Sequence, residues 1–184
     1  MAKKTWAHCV RDARLIYINR DRFAYLWGAN GEKPRNREEA EKLVNRCWSM
    51  NPSHYEEYVI NRGHTKDELI DHIIGKSCFD CSSFVCAVTQ CEGDIFNFRV
   101  VKDYNSTMLR AAFVYPTTLT DGPWGSCLWS NGHVAMDSGN GLAIDFAAEF
   151  VDVREYRFVD PDPLYQFKDS GQLPWVDYSE PCYK

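Results

Sequence analysis

Apolar positions recur at helical spacing in two stretches of the first half of the chain. In NREEAEKLVNRCW, residues Ala40, Leu43, Val44, Cys47 and Trp48 fall on one face, which predicts an amphipathic helix from Asn36 to Trp48. Asn36 stands as its cap with Glu39 three residues on, and Asn51-Pro52 as its stop. Thr65-Lys66-Asp67-Glu68 has capping-box spacing, and Leu69, Ile70, Ile73 and Ile74 follow before Gly75 ends a second helix. Tyr55, Tyr58 and Val59 predict a shorter helical piece from His54 to Asn61. Past Gly93 the period changes to two: Phe96, Phe98 and Val100 alternate with Asn97 and Arg99, and Val151 and Val153 flank Asp152. Strands are therefore expected to dominate the second half. NGHVAMDSGNGLAIDF predicts two short strands joined by a Ser-Gly-Asn-Gly turn. Pro161 and Pro163 break the pattern, and the tail to Lys184 reads as a Pro-punctuated wrap. No repeat, low-complexity tract or linker divides the chain, so one domain over residues 1–184 is expected.

Composition acts mainly by exclusion. A chain of 184 residues can bury a core without disulfide or metal staples, and a hydrophobic share of 45% excludes a disordered chain. A formal net charge of −5 supplies no basic footprint for nucleic acid or an anionic membrane, so neither a nucleic-acid partner nor membrane insertion is expected. MAKKTWAHCVRDARLIYINR lacks a signal-peptide core, and no stretch reaches transmembrane length. The expected product is made in the cytoplasm and leaves it only through other machinery.

Eight cysteines, at 9, 47, 78, 81, 86, 91, 127 and 182, are many for a reducing compartment, where disulfides are the lesser expectation. Cys78, Cys81, Cys86 and Cys91 begin with CxxC spacing but lack a second such pair or a paired His. No metal and no cofactor are expected, and every thiol but Cys81 is read as structural.

Cys81 differs by its position in FDCSSFVC. Asp80 is a cap candidate, and Phe84, Val85 and Val88 follow Cys81 at helical spacing, so the thiol lies on the buried face of a short helix at its first turn. The helix dipole and the first-turn N–H groups there favour thiolate and can hold an oxyanion, so a depressed pKa is expected. A nucleophilic thiol needs a base. His8, His54, His64 and His72 sit in polar or helical contexts that suit solvated or capping histidines, whereas His133 opens the first strand of the hairpin. Asp145 follows on the return strand twelve residues later, where a carboxylate can orient the imidazole. A three-residue loop between Asp137 and Gly141 would put the two directly opposite one another. A two-residue loop, Gly139-Asn140, would send them to opposite faces. Catalysis through this pair thus requires an odd-length loop or a bulge.

FDCSSFV resembles the DCSGFV signature of the NlpC-like cell-wall cysteine peptidases, a papain-like family. GHVAMDSGNGLAID is similar to their GHVGIYxGNG block, and YLWGANGE to their YxWGG segment. The three blocks occur in the family's order from about Tyr25 to Asp145. Ser83 replaces the usual Gly, Ala29 the second Gly, and Asp145 stands where a second His or another polar residue is common. The distance from Trp27 to Cys81 is longer than usual, and the helices of residues 36–75 occupy it as an insertion, as in phage-associated members. The resemblance implies an α+β, papain-like fold with the nucleophile helix packed on an antiparallel sheet. It also implies a Cys81, His133 and Asp145 triad hydrolysing amide bonds in the stem peptide of peptidoglycan, as a phage lysin or delivered effector would. Tyr25 and Asp80 match positions beside the substrate, with Ser82 adjacent. An acyltransferase or hydrolase on another amide or ester, and an inactive binding module of the same fold, are the alternatives. The helices of 36–75, with Trp48, Tyr55 and Tyr58, are expected either to wall the cleft or to form an appendage.

Overall fold

The computed structural model describes residues 3–91, 93–98, 102–119, 121–158 and 166–179. The chain runs through β1 (Lys4–Thr5), α1 (Trp6–Ile18), β2 (Phe23–Tyr25), β3 (Asn30–Glu32), α2 (Arg37–Met50), α3 (Pro52–Tyr58), α4 (Lys66–Ile73), β4 (Ser77–Phe79) and α5 (Cys81–Gln90). It continues through α6 (Ser106–Ala111), β5 (Tyr115–Thr117), β6 (Cys127–Ser130), β7 (His133–Gly139), β8 (Leu142–Phe146), β9 (Val153–Arg157), β10 (Asp169–Gln172) and β11 (Val176–Asp177). This is a mixed α+β architecture. An antiparallel sheet of order β5-β10-β6-β7-β8-β9 carries the second half, β2-β4-β3 form a smaller sheet, and β1 pairs with β11.

The local signals explain the helices of residues 36–75. Asn36 caps α2 by accepting the Glu39 N–H at 3.0 Å, Asn51 and Pro52 start α3, and Thr65 and Glu68 make a reciprocal capping box on α4. The apolar faces of these helices close around Leu43, Val44, Cys47, Tyr55, Leu69 and Ile73, against Ala24 and Leu26 beside β2 and Cys78 of β4. Tyr55 is fully buried, stacks on Trp48 at 4.8 Å and donates to the Trp27 carbonyl at 2.8 Å. It is a core residue of the helical unit, not a cleft-facing one.

A second core lies between the six-stranded sheet and helices α1 and α5. Val134 and Met136 of β7 and Ile144 and Phe146 of β8 meet Cys9, Ala13 and Ile16 of α1 and Phe84, Val85 and Val88 of α5. Because side chains alternate along a strand, His133, Ala135, Ala143 and Asp145 project from the other face, where Leu128, Phe158 and Phe167 pack with Ala135 and Ala143.

Several expectations are corrected. Ile95–Asn97 forms a 3-10 turn instead of the start of a strand, because Asp94 caps it by accepting the Phe96 N–H. Residues 99–101 lie outside the described residues, as do Pro161, Pro163 and the end of the tail. Val151 is in a turn and Asp152 takes a left-handed φ of 57°, so β9 begins only at Val153. Strands dominate the second half, as expected, although β1 to β4 precede Cys81 and α6 lies before the later strands. The described cysteines, at 9, 47, 78, 81, 86, 91 and 127, are free and buried, and Cys182 lies outside the described residues. Among the described residues, no helix is long and apolar enough to cross a membrane.

Candidate functional site

Cys81 opens α5, with Asp80 as its cap. Asp80 Oδ1 accepts the Ser83 N–H at 2.7 Å and the Ser82 hydroxyl at 2.9 Å, and Ser83 Oγ accepts the Asp80 N–H in return. Asp80 Oδ2 accepts the Gly28 N–H at 3.3 Å, and the Asp80 N–H donates to the Ala29 carbonyl. The YLWGANG and FDCSS segments are thereby held side by side. Tyr25, paired with Phe79 across β2 and β4, is buried, and its N–H donates to Asp152 Oδ1. Ser82 is buried on the cap. Tyr25, Asp80 and Ser82 therefore lie on the two segments that flank Cys81, each with a structural partner.

His133 and Asp145 are brought together. The imidazole Nε2 and Asp145 Oδ2 are 2.7 Å apart, with both side chains almost wholly buried. The register that achieves this differs from direct opposition. Gly139 pairs with Leu142 across a two-residue Asn140-Gly141 loop, whose φ values of 58° and 73° suit this Asn-Gly pair. Asp137 pairs with Ala143, leaving Ser138 as the extra residue of a bulge. The bulge shifts β7 by one position, so His133 and Asp145 share a face as diagonal neighbours. Arg14 of α1 donates to the Ser138 carbonyl at 2.6 Å, and Asp137 Oδ1 accepts the Gly139 N–H, so the bulge's polar groups are satisfied.

Asp145 is more heavily bonded than a single partner requires. Arg154 of β9, directly across from it, donates from Nε to Oδ1 and from a terminal nitrogen to Oδ2, both at 2.9 Å, and the Tyr156 hydroxyl donates to Oδ2 at 3.0 Å. Burial pushes this carboxyl up, but hydrogen bonds and charge from His133 and Arg154 outweigh burial and hold it below the ordinary carboxylate range. Neither Arg154 nor Tyr156 is singled out by the sequence patterns above. Their signal was the alternation in VREYR, which puts both on one face of a strand, but nothing local says which strand that face adjoins.

Cys81 belongs to the other face of the sheet. Recorded pairing between β7 and β8 starts at Met136 and Ile144, short of His133. Cys81 packs in one core cluster with Val134, whose backbone pulls the thiol's pKa down. Val134 faces α5, whereas the His133 ring projects from the opposite face of the sheet and stacks on Phe167, so the structure brings His133 to Asp145 but does not set the imidazole against the Cys81 sulfur. The expected depressed pKa is corrected. Burial dominates and, with the Asp80 and Asp145 charges, pushes the thiol well above its ordinary value, against the pull of the Val134 and Ser82 backbone groups. At 8% exposure, Cys81 rests as a neutral thiol.

Two further histidines also depart from expectation. His54 Nε2 lies 3.0 Å from Glu149 Oε2, a carboxylate buried after β8 whose Oε1 also accepts the Trp27 N–H. His72 Nε2 lies 2.8 Å from Asp152 Oδ2. Both are partly buried and hydrogen-bonded to carboxylates, tying α3 and α4 to the β8–β9 connection, and are not solvated or capping groups. Among the described residues, no cluster of three or more His, Cys, Asp or Glu could hold a metal ion. No family model matches the chain, and neither does any curated protein or solved structure.

Proposed function

We propose that this chain is a cysteine amidohydrolase with a papain-like arrangement, of the NlpC-like kind, acting on stem peptides of peptidoglycan. The observation that carries the proposal is the buried 2.7 Å contact between His133 and Asp145, on a strand whose next residue, Val134, packs in the same core as the helix that Cys81 opens. Nε2 is committed to Asp145, so proton exchange with the thiol falls to Nδ1. As Cys81 attacks the amide carbonyl, its proton passes to His133, which requires the ring, at the first position of β7, to turn from the far face of the sheet toward the sulfur. The tetrahedral oxyanion is met by N–H groups at the start of α5, and collapse expels the amine with the proton from His133. Water, deprotonated by His133, then cleaves the thioester to a carboxylate and regenerates the thiol. A neutral resting thiol makes the proton transfer part of the attack instead of a step completed beforehand.

The substrate class rests on the three sequence blocks, two of which lie side by side at the Asp80 cap. Purified muropeptides incubated with the wild type and with Cys81→Ala, followed by mass spectrometry, test it. Two fragments whose masses sum to the substrate plus one water, formed by the wild type alone, are expected. Intact muropeptides alongside cleavage of another amide or ester would keep the chemistry and remove the substrate class.

A further inference from the structure

The carboxylate of Asp145 is shared. Oδ2 takes the His133 ring nitrogen, the Tyr156 hydroxyl and one Arg154 nitrogen, while Oδ1 takes Arg154 Nε. The guanidinium engages the carboxylate in a two-nitrogen fork directly across the β8–β9 pair, and it also lies 4.5 Å from the centre of the Tyr156 ring. Arg154 is largely sheltered, with its side chain 21% exposed, so little solvent screens its charge from the carboxylate. Among the described residues, one permanent positive charge therefore already faces the carboxylate that His133 contacts.

From this geometry we infer that Arg154 is a positioning residue that shares the charge of Asp145, so that Asp145 orients the His133 ring while placing less of its charge on the ring than an isolated pair would. The inference rests on the proposed Cys81 and His133 chemistry for its functional meaning, but not for its electrostatics. Among the described residues, the ring meets Asp145 of β8, Arg154 and Tyr156 of β9 reach it through that carboxylate, and Asp80 caps α5 on the other face of the sheet. Phe167 stacks at 6.0 Å and adds no charge. With the carboxylate already neutralised, an imidazolium gains less from it than in an isolated His-Asp pair. His133 is thus turned by a carboxylate whose charge the guanidinium already meets. A neutral Asn-like acceptor would serve the ring almost as well if the arginine charge were also absent.

Charge removal in a cycle tests this, read by NMR titration of the His133 ring and, separately, by the acid limb of the pH–rate profile. Arg154→Met should move both to higher pH, because the Asp145 charge then acts on the ring alone. Asp145→Asn should move both to lower pH, because the guanidinium then acts alone. Asp145→Asn combined with Arg154→Met should return the limb close to its wild-type position. A merely structural Arg154 would leave the limb in place in Arg154→Met, and the double variant would match Asp145→Asn; either result overturns the inference. Should Arg154→Met fail to fold, the comparison of Asp145→Asn with the double variant still decides, since neither carries an unpaired buried carboxylate. Ring titration needs no substrate, so a protein that cleaves nothing but shows these shifts would refute the proposed function and leave the charge arrangement standing.

Discussion

Cys81 shows how two short-range effects of opposite sign combine at one atom. The helix start and the Val134 and Ser82 backbone groups favour thiolate, yet burial and the neighbouring Asp80 charge prevail. Asp80 therefore both caps α5 and opposes ionisation of its first side chain. Asp80→Asn keeps the Oδ1 acceptor for Ser83 and gives up only the weak Gly28 contact, so α5 should remain formed. Cys81 should then alkylate with iodoacetamide several-fold faster at fixed pH, as adduct mapping would show; an unchanged or slower rate in a folded variant would contradict this. Asp145 carries the opposite sign. Its folded pKa lies below its unfolded one, so its stabilisation is present above the ordinary carboxylate range and is lost as pH falls through the folded value. Urea titrations at several pH values should show a shallower acid loss of stability for Asp145→Asn than for the wild type, together with a cost of about 1–3 kcal/mol at neutral pH from the loosened network. Equal acid slopes would remove Asp145 from the acid response.

At the scale of elements, the site depends on a one-residue irregularity. Without the bulge at Ser138, His133 and Asp145 would face opposite sides of the sheet, whatever the chemistry of either side chain. The sequence showed that such a device was needed, from the twelve-residue spacing and the Ser-Gly-Asn-Gly turn. It did not show which residue bulges, because that depends on Arg14 reaching from α1 and on Trp124 packing beside Gly139. Gly139 has a φ of 92°, and a Cβ there would fall 2.6 Å from the Trp124 ring. Gly139→Ala should therefore cost on the order of 1–3 kcal/mol in denaturant titration and reduce turnover through the lost register. An unchanged midpoint would contradict the tight packing of this bulge. The capped helices were legible for the converse reason, since Asn36, Thr65 and Asp80 satisfy backbone groups within their own turn. Ile95–Asn97 misled because its apolar alternation was real, but a local Asp94 cap overrode it.

Across the whole molecule, contacts remote in sequence decide how the parts meet, and these were the least legible. The helical unit built from α2, α3 and α4 is joined to the β8–β9 connection by His54 with Glu149 and by His72 with Asp152. His54 is enclosed by Tyr58 at 4.6 Å and Trp27 at 5.8 Å, so its loss would leave Glu149 buried without its imidazole. His54→Ala should cost about 1–3 kcal/mol and raise amide hydrogen exchange in α3 well before that of β7 or β8. Uniform exchange changes, or none, would contradict a latch at this point. The three sequence blocks, by contrast, converge because the small sheet sets Trp27 to Ala29 against Asp80, while α5 sets Cys81 against Val134. Acylation of Cys81 with help from His133 is the step on which the proposed function turns. Rapid acid quenching of the protein with a cleaved muropeptide, followed by intact-mass and peptide mapping, reads this directly. The expected result is a transient adduct on Cys81 equal in mass to the acyl fragment, absent in Cys81→Ala and strongly depleted in His133→Ala. Products released at the wild-type rate by Cys81→Ala, with no adduct on Cys81 in the wild type, would contradict it.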